Sequence, residues 1–157
     1  MNKFTKSFII AIFFVFCLYH PSHAQNWVKA VGNGFGNSRN SYAWSMETFK
    51  GEMYVGVLNL YGGAEIWCSN SGANGSWQQV YKAIFSHNYG ARCLYSHIQQ
   101  SLYACTSNKQ GAQILRTTDG RRWTTVAHRG LGNINNTTIR CMVRFEDYLY
   151  VGMGSNG

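Results

Sequence analysis

Landmarks recur along this chain at intervals of about 48 residues, and a period of that length restricts the fold more than any other feature. Gly34-Phe35-Gly36-Asn37-Ser38-Arg39-Asn40 returns 96 residues on as Gly130-Leu131-Gly132-Asn133-Ile134-Asn135-Asn136, and Asn88 stands midway between Asn40 and Asn136. Arg92-Cys93 returns as Arg140-Cys141 after 48 residues. Tyr54, Tyr103 and Tyr150 keep the same beat with the one-residue drift that loop insertions cause. Units of this length stack or ring around an axis, because none of them buries its apolar face alone.

Within each unit, apolar and polar residues alternate over short runs bounded by Gly, Asn, Asp and Ser, the pattern of half-buried strands. It predicts strands at residues 42–49, 52–58, 64–68 and 76–81, then at 92–98, 101–106, 112–117 and 122–127, and a third set opening with 139–145 and 148–153. Asp119-Gly120 between the last two strands of the second set reads as a tight turn, since glycine accepts a positive φ without steric cost. Four antiparallel strands in 40 to 50 residues predict an all-β fold built from β-propeller blades. The expected layout is an outer strand within residues 25–34, blades at 35–82 and 83–129, and an incomplete third blade at 130–157. Residues 27–31 fill the outer strand because Trp27 aligns with Trp77 and Trp123. About 2.5 blades is fewer than the four to eight of closed rings. The working propeller is therefore expected to be larger, through further blades or self-association.

Residues 1–24 read as a secretory signal: Lys3 and Lys6, an apolar run from Phe8 to Leu18, then Ser22-His23-Ala24 before the cut. The run is too short for the roughly 20 residues of a membrane span. A secreted or periplasmic product is expected, with no membrane span once the leader is cleaved. From Gln25 onward, 12 basic residues face 6 acidic ones, which favours acidic partners. No recognition helix or finger-like spacing accompanies the charge, so specific nucleic-acid binding is not expected. Cys68, Cys93, Cys105 and Cys141 remain; the repeated places of Cys93 and Cys141 point to buried strand positions rather than a disulfide framework. His87, His97 and His128 lack metal-ligand spacing, and neither a metal nor a cofactor is expected.

The segment Leu102-Tyr103-Ala104 followed by Gly111-Ala112-Gln113-Ile114-Leu115-Arg116-Thr117-Thr118-Asp119-Gly120-Arg121-Arg122-Trp123 resembles the Asp-box (BNR-type) repeats of secreted, sialidase-like propellers. Tyr54-Val55-Gly56, Gly63-Ala64-Glu65-Ile66-Trp67-Cys68-Ser69 and Trp77 form a second such unit, with Ser71 where the aspartate should stand. The resemblance implies structural roles for Asp119, Gly120, Trp123 and Trp77. It also raises a glycosidase, which needs two carboxyl groups facing the sugar, or a tyrosine nucleophile with an acid partner and an arginine cluster. Of the six carboxylates, Glu52, Asp119, Glu146 and Asp147 sit in predicted turns and Glu65 sits at a repeated position opposite Gln113, which speaks for scaffold and against an enzyme. A non-catalytic propeller binding glycan or protein is the leading expectation, with a fragment of a glycosidase-like propeller or a truncated chain without independent function as alternatives. The candidate ligand residues lie in the loops entering each first strand: Asn40, Tyr42, Asn88, Tyr89, Arg92, Asn136 and Arg140. Their amides and phenols suit sugar hydroxyls, and their guanidinium groups suit anions. Asn40, Asn88 and Asn136 equally suit side-chain-capped turns.

Overall fold

The computed structural model describes residues 27–84 and 87–155. The predicted leader at 1–24 lies outside the described residues. All regular structure beyond two short turns is β. Ten strands run in order: β1 (Tyr42–Phe49), β2 (Glu52–Leu58), β3 (Glu65–Ser69), β4 (Gln78–Lys82), β5 (Asn88–His97), β6 (Ser101–Asn108), β7 (Ile114–Thr117), β8 (Thr124–Ala127), β9 (Thr138–Phe145) and β10 (Tyr148–Gly154). Every pairing is antiparallel, and the sheet does not close on itself. Among the described residues no helix is long and apolar enough to cross a membrane.

The strands form two meanders and a hairpin. β1-β2-β3-β4 pair in sequence, β5-β6-β7-β8 pair in the same sequence, and β9 pairs β10. The β1–β2 turn is Lys50-Gly51, with φ of 50° and 79°, the positive pair that a two-residue hairpin requires. Neighbouring layers are stitched together at one end only. Leu58 of β2 pairs Gly90 of β5, and Ser107 of β6 pairs Thr138 of β9. Away from these stitches the layers pack through side chains. Phe49, Tyr54, Ile66, Leu94, Leu102 and Leu115 fill the space between the meanders, while Cys105, Ile114, Ile139 and Met142 fill the next gap. Burying such side chains stabilises by about 1.5–3 kcal/mol each relative to exposure.

Each meander is preceded or followed by a left-handed turn. Gly34 and Phe35 adopt φ/ψ of 61°/39° and 61°/32°, and Gly130 and Leu131 adopt 59°/30° and 55°/46°. Such angles are costly for Phe and Leu. The loop must therefore be fixed from outside, and Asn40 and Asn136 do this by donating Nδ2–H to the Gly34 and Gly130 carbonyls at 2.9 and 3.1 Å.

Strand positions agree with the alternation pattern except at ends that mix loop and strand chemistry. β5 starts at Asn88 rather than 92, because bulges at both Asn88/Gly90 and Ala91/Cys93 keep Asn-Tyr-Gly in the ladder. β3, β4, β7 and β8 start at Glu65, Gln78, Ile114 and Thr124, so Trp77 and Trp123 precede their strands. Residues 27–30 form no strand, against expectation, and Trp27 is 90% exposed. A fourth strand needs a third beside it, and here the contact made by this segment is the Trp77 indole donating to the Ala30 carbonyl at 3.3 Å. Cys68, Cys93, Cys105 and Cys141 are free, in line with the absence of a disulfide framework, but the expected burial of the repeated pair is not met: Cys93 is half-buried and Cys141 is exposed. Cys141 lies on the β9–β10 hairpin, whose Val143, Phe145, Tyr148 and Tyr150 are likewise open; among the described residues no strand pairs the outer edge of β10.

Candidate binding groove

The repeated asparagines organise the loop end of each meander. Asn40 is buried and donates to the Glu65 carboxylate at 2.7 Å, while its Oδ1 accepts from Asn59 at 2.9 Å. In the second meander Asn88 donates to Gln113 Oε1 at 2.7 Å and accepts from Asn108 at 2.7 Å. Asn59 and Asn108 follow β2 and β6, and each caps its own turn: Asn59 Oδ1 accepts Gly62 N–H at 2.6 Å and Asn108 Oδ1 accepts Gln110 N–H at 2.7 Å. A triad of hydrogen-bonded side chains, Asn40, Asn59 and Glu65 in the first meander and Asn88, Asn108 and Gln113 in the second, therefore ties the loop end of each meander together.

Glu65 is the charged member of this arrangement, 1% exposed. It accepts from Asn37 at 3.2 Å, Asn40 at 2.7 Å and the Trp67 indole at 2.9 Å, and Lys82 Nζ lies 3.6 Å away. Burial alone pushes its carboxyl upward, but the bonds from Asn40, Trp67 and Asn37 and the Lys82 charge hold it below the ordinary glutamate value.

Between the first meander's last strand and the outer strands of the second lies a groove of about 410 Å³. Tyr81 and Trp123 form an aromatic wall, their rings 6.2 Å apart and edge to face. Asn88, Asn108, Gln110 and Gln113 supply amides along the floor, and Lys82 and His87 stand at the rim. No carboxylate lines it. Burial raises the Tyr81 phenol, with a hydrogen bond to Asn88 opposing the shift. The Trp123 indole N–H is buried without a partner. An aromatic wall over convergent amides can hold a sugar ring, its C–H face on the rings and its hydroxyls on the amides.

At the opposite end, the β7–β8 turn docks on the first meander. Asp119 Oδ1 accepts the backbone N–H groups of Arg121 and Arg122, each at 2.8 Å, and the Thr117 hydroxyl at 3.0 Å, which holds its carboxyl down at about 2. Gly120 has φ 75°, and a Cβ there would strike the Tyr54 hydroxyl. The β3–β4 turn makes the same bend without an aspartate: Ser69 Oγ accepts Gly72 N–H at 2.8 Å, as Thr117 Oγ1 accepts Gly120 N–H at 2.9 Å. Arg121 then reaches across to Glu52 at 2.6 Å and Tyr54 Oη at 3.0 Å, while Tyr54 donates to Glu52 at 2.8 Å. The Arg121 bond lowers the Glu52 carboxyl against the opposing effect of burial, and burial pushes the Tyr54 phenol well above its usual range.

Of the candidate ligand residues, Asn88 lines the groove and the rest do not. Asn40 and Asn136 fasten loops, and Tyr89 is buried. Tyr42 is 62% exposed, and Arg140 is exposed on β9. The Arg92 guanidinium covers the Trp44 ring at 4.6 Å. Sequence reading missed Asn59, Asn108, Gln110 and Gln113. The recurrence of an asparagine five residues after Tyr54 and after Tyr103 was the available signal for the first two. Among the described residues no three His, Cys, Asp or Glu side chains gather closely enough to hold a metal ion. Compared with protein-family models, curated proteins and solved structures, the chain has no significant match.

Proposed function

We propose that the two meanders and the hairpin are successive blades of a secreted, non-catalytic β-propeller of the Asp-box type, and that the groove between the first two blades binds a glycan. Support for the propeller comes from the matching pairing order, the single-pair stitches at one end of adjacent layers, and the matched β3–β4 and β7–β8 turns. The observation that carries the binding role is the groove itself, with Tyr81 and Trp123 over four amide side chains and no acid among its walls.

A glycosidase is the competing reading, and Tyr54, Glu52 and Arg121 are the observation that raises it. A sialidase-type nucleophile needs an ionisable, accessible tyrosine beside an acid. Tyr54 is 1% exposed, its hydroxyl bonds both partners, and its phenol is pushed away from ionisation. The trio works as a clasp between layers, and catalysis is not part of the proposal.

Calorimetric titration of the full chain with panels of neutral and acidic oligosaccharides tests the glycan reading. Gln110 is exposed and carries no fold-supporting side-chain bond beyond a 3.4 Å contact with His87. Gln110→Ala is expected to raise Kd about three- to tenfold, the loss of one hydrogen bond, with an unchanged melting curve. Trp123→Phe is expected to weaken binding through the narrower ring. Absence of binding to every glycan would sink the proposal.

A further inference from the structure

The groove has a neighbour. On the other side of the β6–β7 loop, Asn108, Gln110 and Gln113 also line a second hollow of about 520 Å³, completed by Lys109, His128, Arg129 and Ile134. The two hollows thus share three amides and form one continuous ledge over the loop end of the second meander. The ledge is braced by backbone bonds. Lys109 N–H donates to the His87 carbonyl at 3.2 Å, Ala112 N–H to Asn136 at 2.8 Å, and Gly130 N–H to Ala112 at 3.0 Å. Gly111 lies so close that a Cβ would come within 2.6 Å of the Arg129 carbonyl carbon and Gly130 nitrogen.

Charge on the ledge has one sign. Lys82, Lys109 and Arg129 are exposed along it, and neither hollow is lined by Asp or Glu. Lys82 is partly neutralised by buried Glu65 at 3.6 Å. The other ion pairs among the described residues are Arg121–Glu52 and Arg144–Asp147, so Lys109 and Arg129 belong to none. Cations on a fixed scaffold without counter-charges, set beside amides, match a polymer carrying anions and hydroxyls together.

We propose that the glycan is an acidic one, bearing carboxylate or sulfate groups, and that it lies across both hollows with sugars on Tyr81 and Trp123 and its anions toward Lys109 and Arg129. This rests on the glycan reading above and specifies its ligand class. Single-stranded nucleic acid, which stacks its bases on aromatic faces and tracks cations with its phosphates, is the competing ligand class, and the DNA probe below separates the two.

The experiment titrates the full chain, and a Lys109→Gln/Arg129→Gln variant, with four probes of matched length. These are an oligogalacturonate, its neutral methyl ester, a sulfated oligosaccharide and single-stranded DNA, each at about 50 and 200 mM salt. Expected is at least about tenfold tighter binding of the uronate or the sulfated probe than of the ester, weakened by salt. The double variant should lose about five- to tenfold on the acidic probe, as two partly exposed charge contacts allow, and nothing on the ester. Whichever acidic probe binds tighter identifies the anion. Equal binding of ester and acid would overturn the acidic-ligand proposal and leave the glycan reading standing. DNA binding tighter than either acidic sugar, or a double variant indistinguishable from the parent, would also overturn it. A chain that bound no sugar at all would instead fail the earlier reading.

Discussion

Replacing Glu65 by alanine is expected to lower the folding free energy by about 3 kcal/mol, since it strands three donors at about 1 kcal/mol each. Those donors are Asn37, Asn40 and the Trp67 indole, and they converge on a carboxylate that is 1% exposed. Asn40 also holds the left-handed turn at Gly34 and accepts from Asn59, so the loss should spread through the loop end of the first meander. Glu65→Gln should retain about half of the stability at risk. Its carbonyl still receives Asn40, as Gln113 receives Asn88 in the second meander, but its NH₂ opposes the remaining donors. The pH dependence has a definite sign. The folded-state carboxyl sits below the ordinary 4.5, so its contribution is complete above pH 4.5 and is lost as pH falls through the folded value. Urea unfolding at pH 7 and across the acid range measures both effects. A Glu65→Ala loss under 1 kcal/mol at pH 7 would contradict this role, as would an acid slope as steep in Glu65→Gln as in the parent, since Glu52 and Asp119 supply only the remainder.

Gly56→Ala is expected to cost about 3 kcal/mol as well, by overpacking the seam between the meanders. A methyl group on Gly56 would collide with the Ala91 carbonyl of β5, and would stand 2.5 Å from Ser45 Oγ and 2.8 Å from Ala91 Cβ. Ser45 donates to that same carbonyl at 3.0 Å, so the new group would also displace an interlayer hydrogen bond. The three matching cross-strand pairs show why the site is local to this seam. Ser45 faces Gly56, Cys93 faces Cys105 and Cys141 faces Gly152. The middle pair accepts a larger side chain because the next gap is filled by Cys105 itself with Ile139 and Met142. Ser45→Ala removes the bond without adding bulk and should cost only about 1 kcal/mol. Thermal melting of both variants checks the order, and a Gly56→Ala protein as stable as the parent would show that the layers do not meet at this distance.

Strands were legible in this sequence where alternation is unbroken and the hairpin turn is short: β1 and β2 fall on the expected residues. Legibility failed where polar residues join a ladder, as at Asn88-Tyr89-Gly90, because an asparagine in a bulged strand has the composition of a loop. Residues 27–31 share Trp27 with the pattern around Trp77 and Trp123, but a strand also needs a neighbour, which local pattern does not supply. Asp119 and Gly120 were readable as a turn because their chemistry is local, within four residues. The groove was not readable. Its walls come from five strands, β4 to β8, and three of the connections between them, and Tyr81 meets Trp123 only after the meanders have packed. Asn40 and Asn88 recur for a reason the sequence shows only as spacing: each is the central member of a hydrogen-bonded side-chain triad whose partners lie 19 to 25 residues away.

Side-chain resonances in the groove offer the most direct test of its role. Trp123 Nε1–H and the NH₂ groups of Asn88, Asn108, Gln110 and Gln113 all appear in a ¹⁵N–¹H correlation spectrum. Titration with the tightest-binding oligosaccharide is expected to shift these signals together, along with the Lys109 and Arg129 amides, while the Trp67 indole on Glu65 stays in place. Shifts confined to other surfaces, or none at concentrations where calorimetry reports saturation, would contradict a binding site between these meanders.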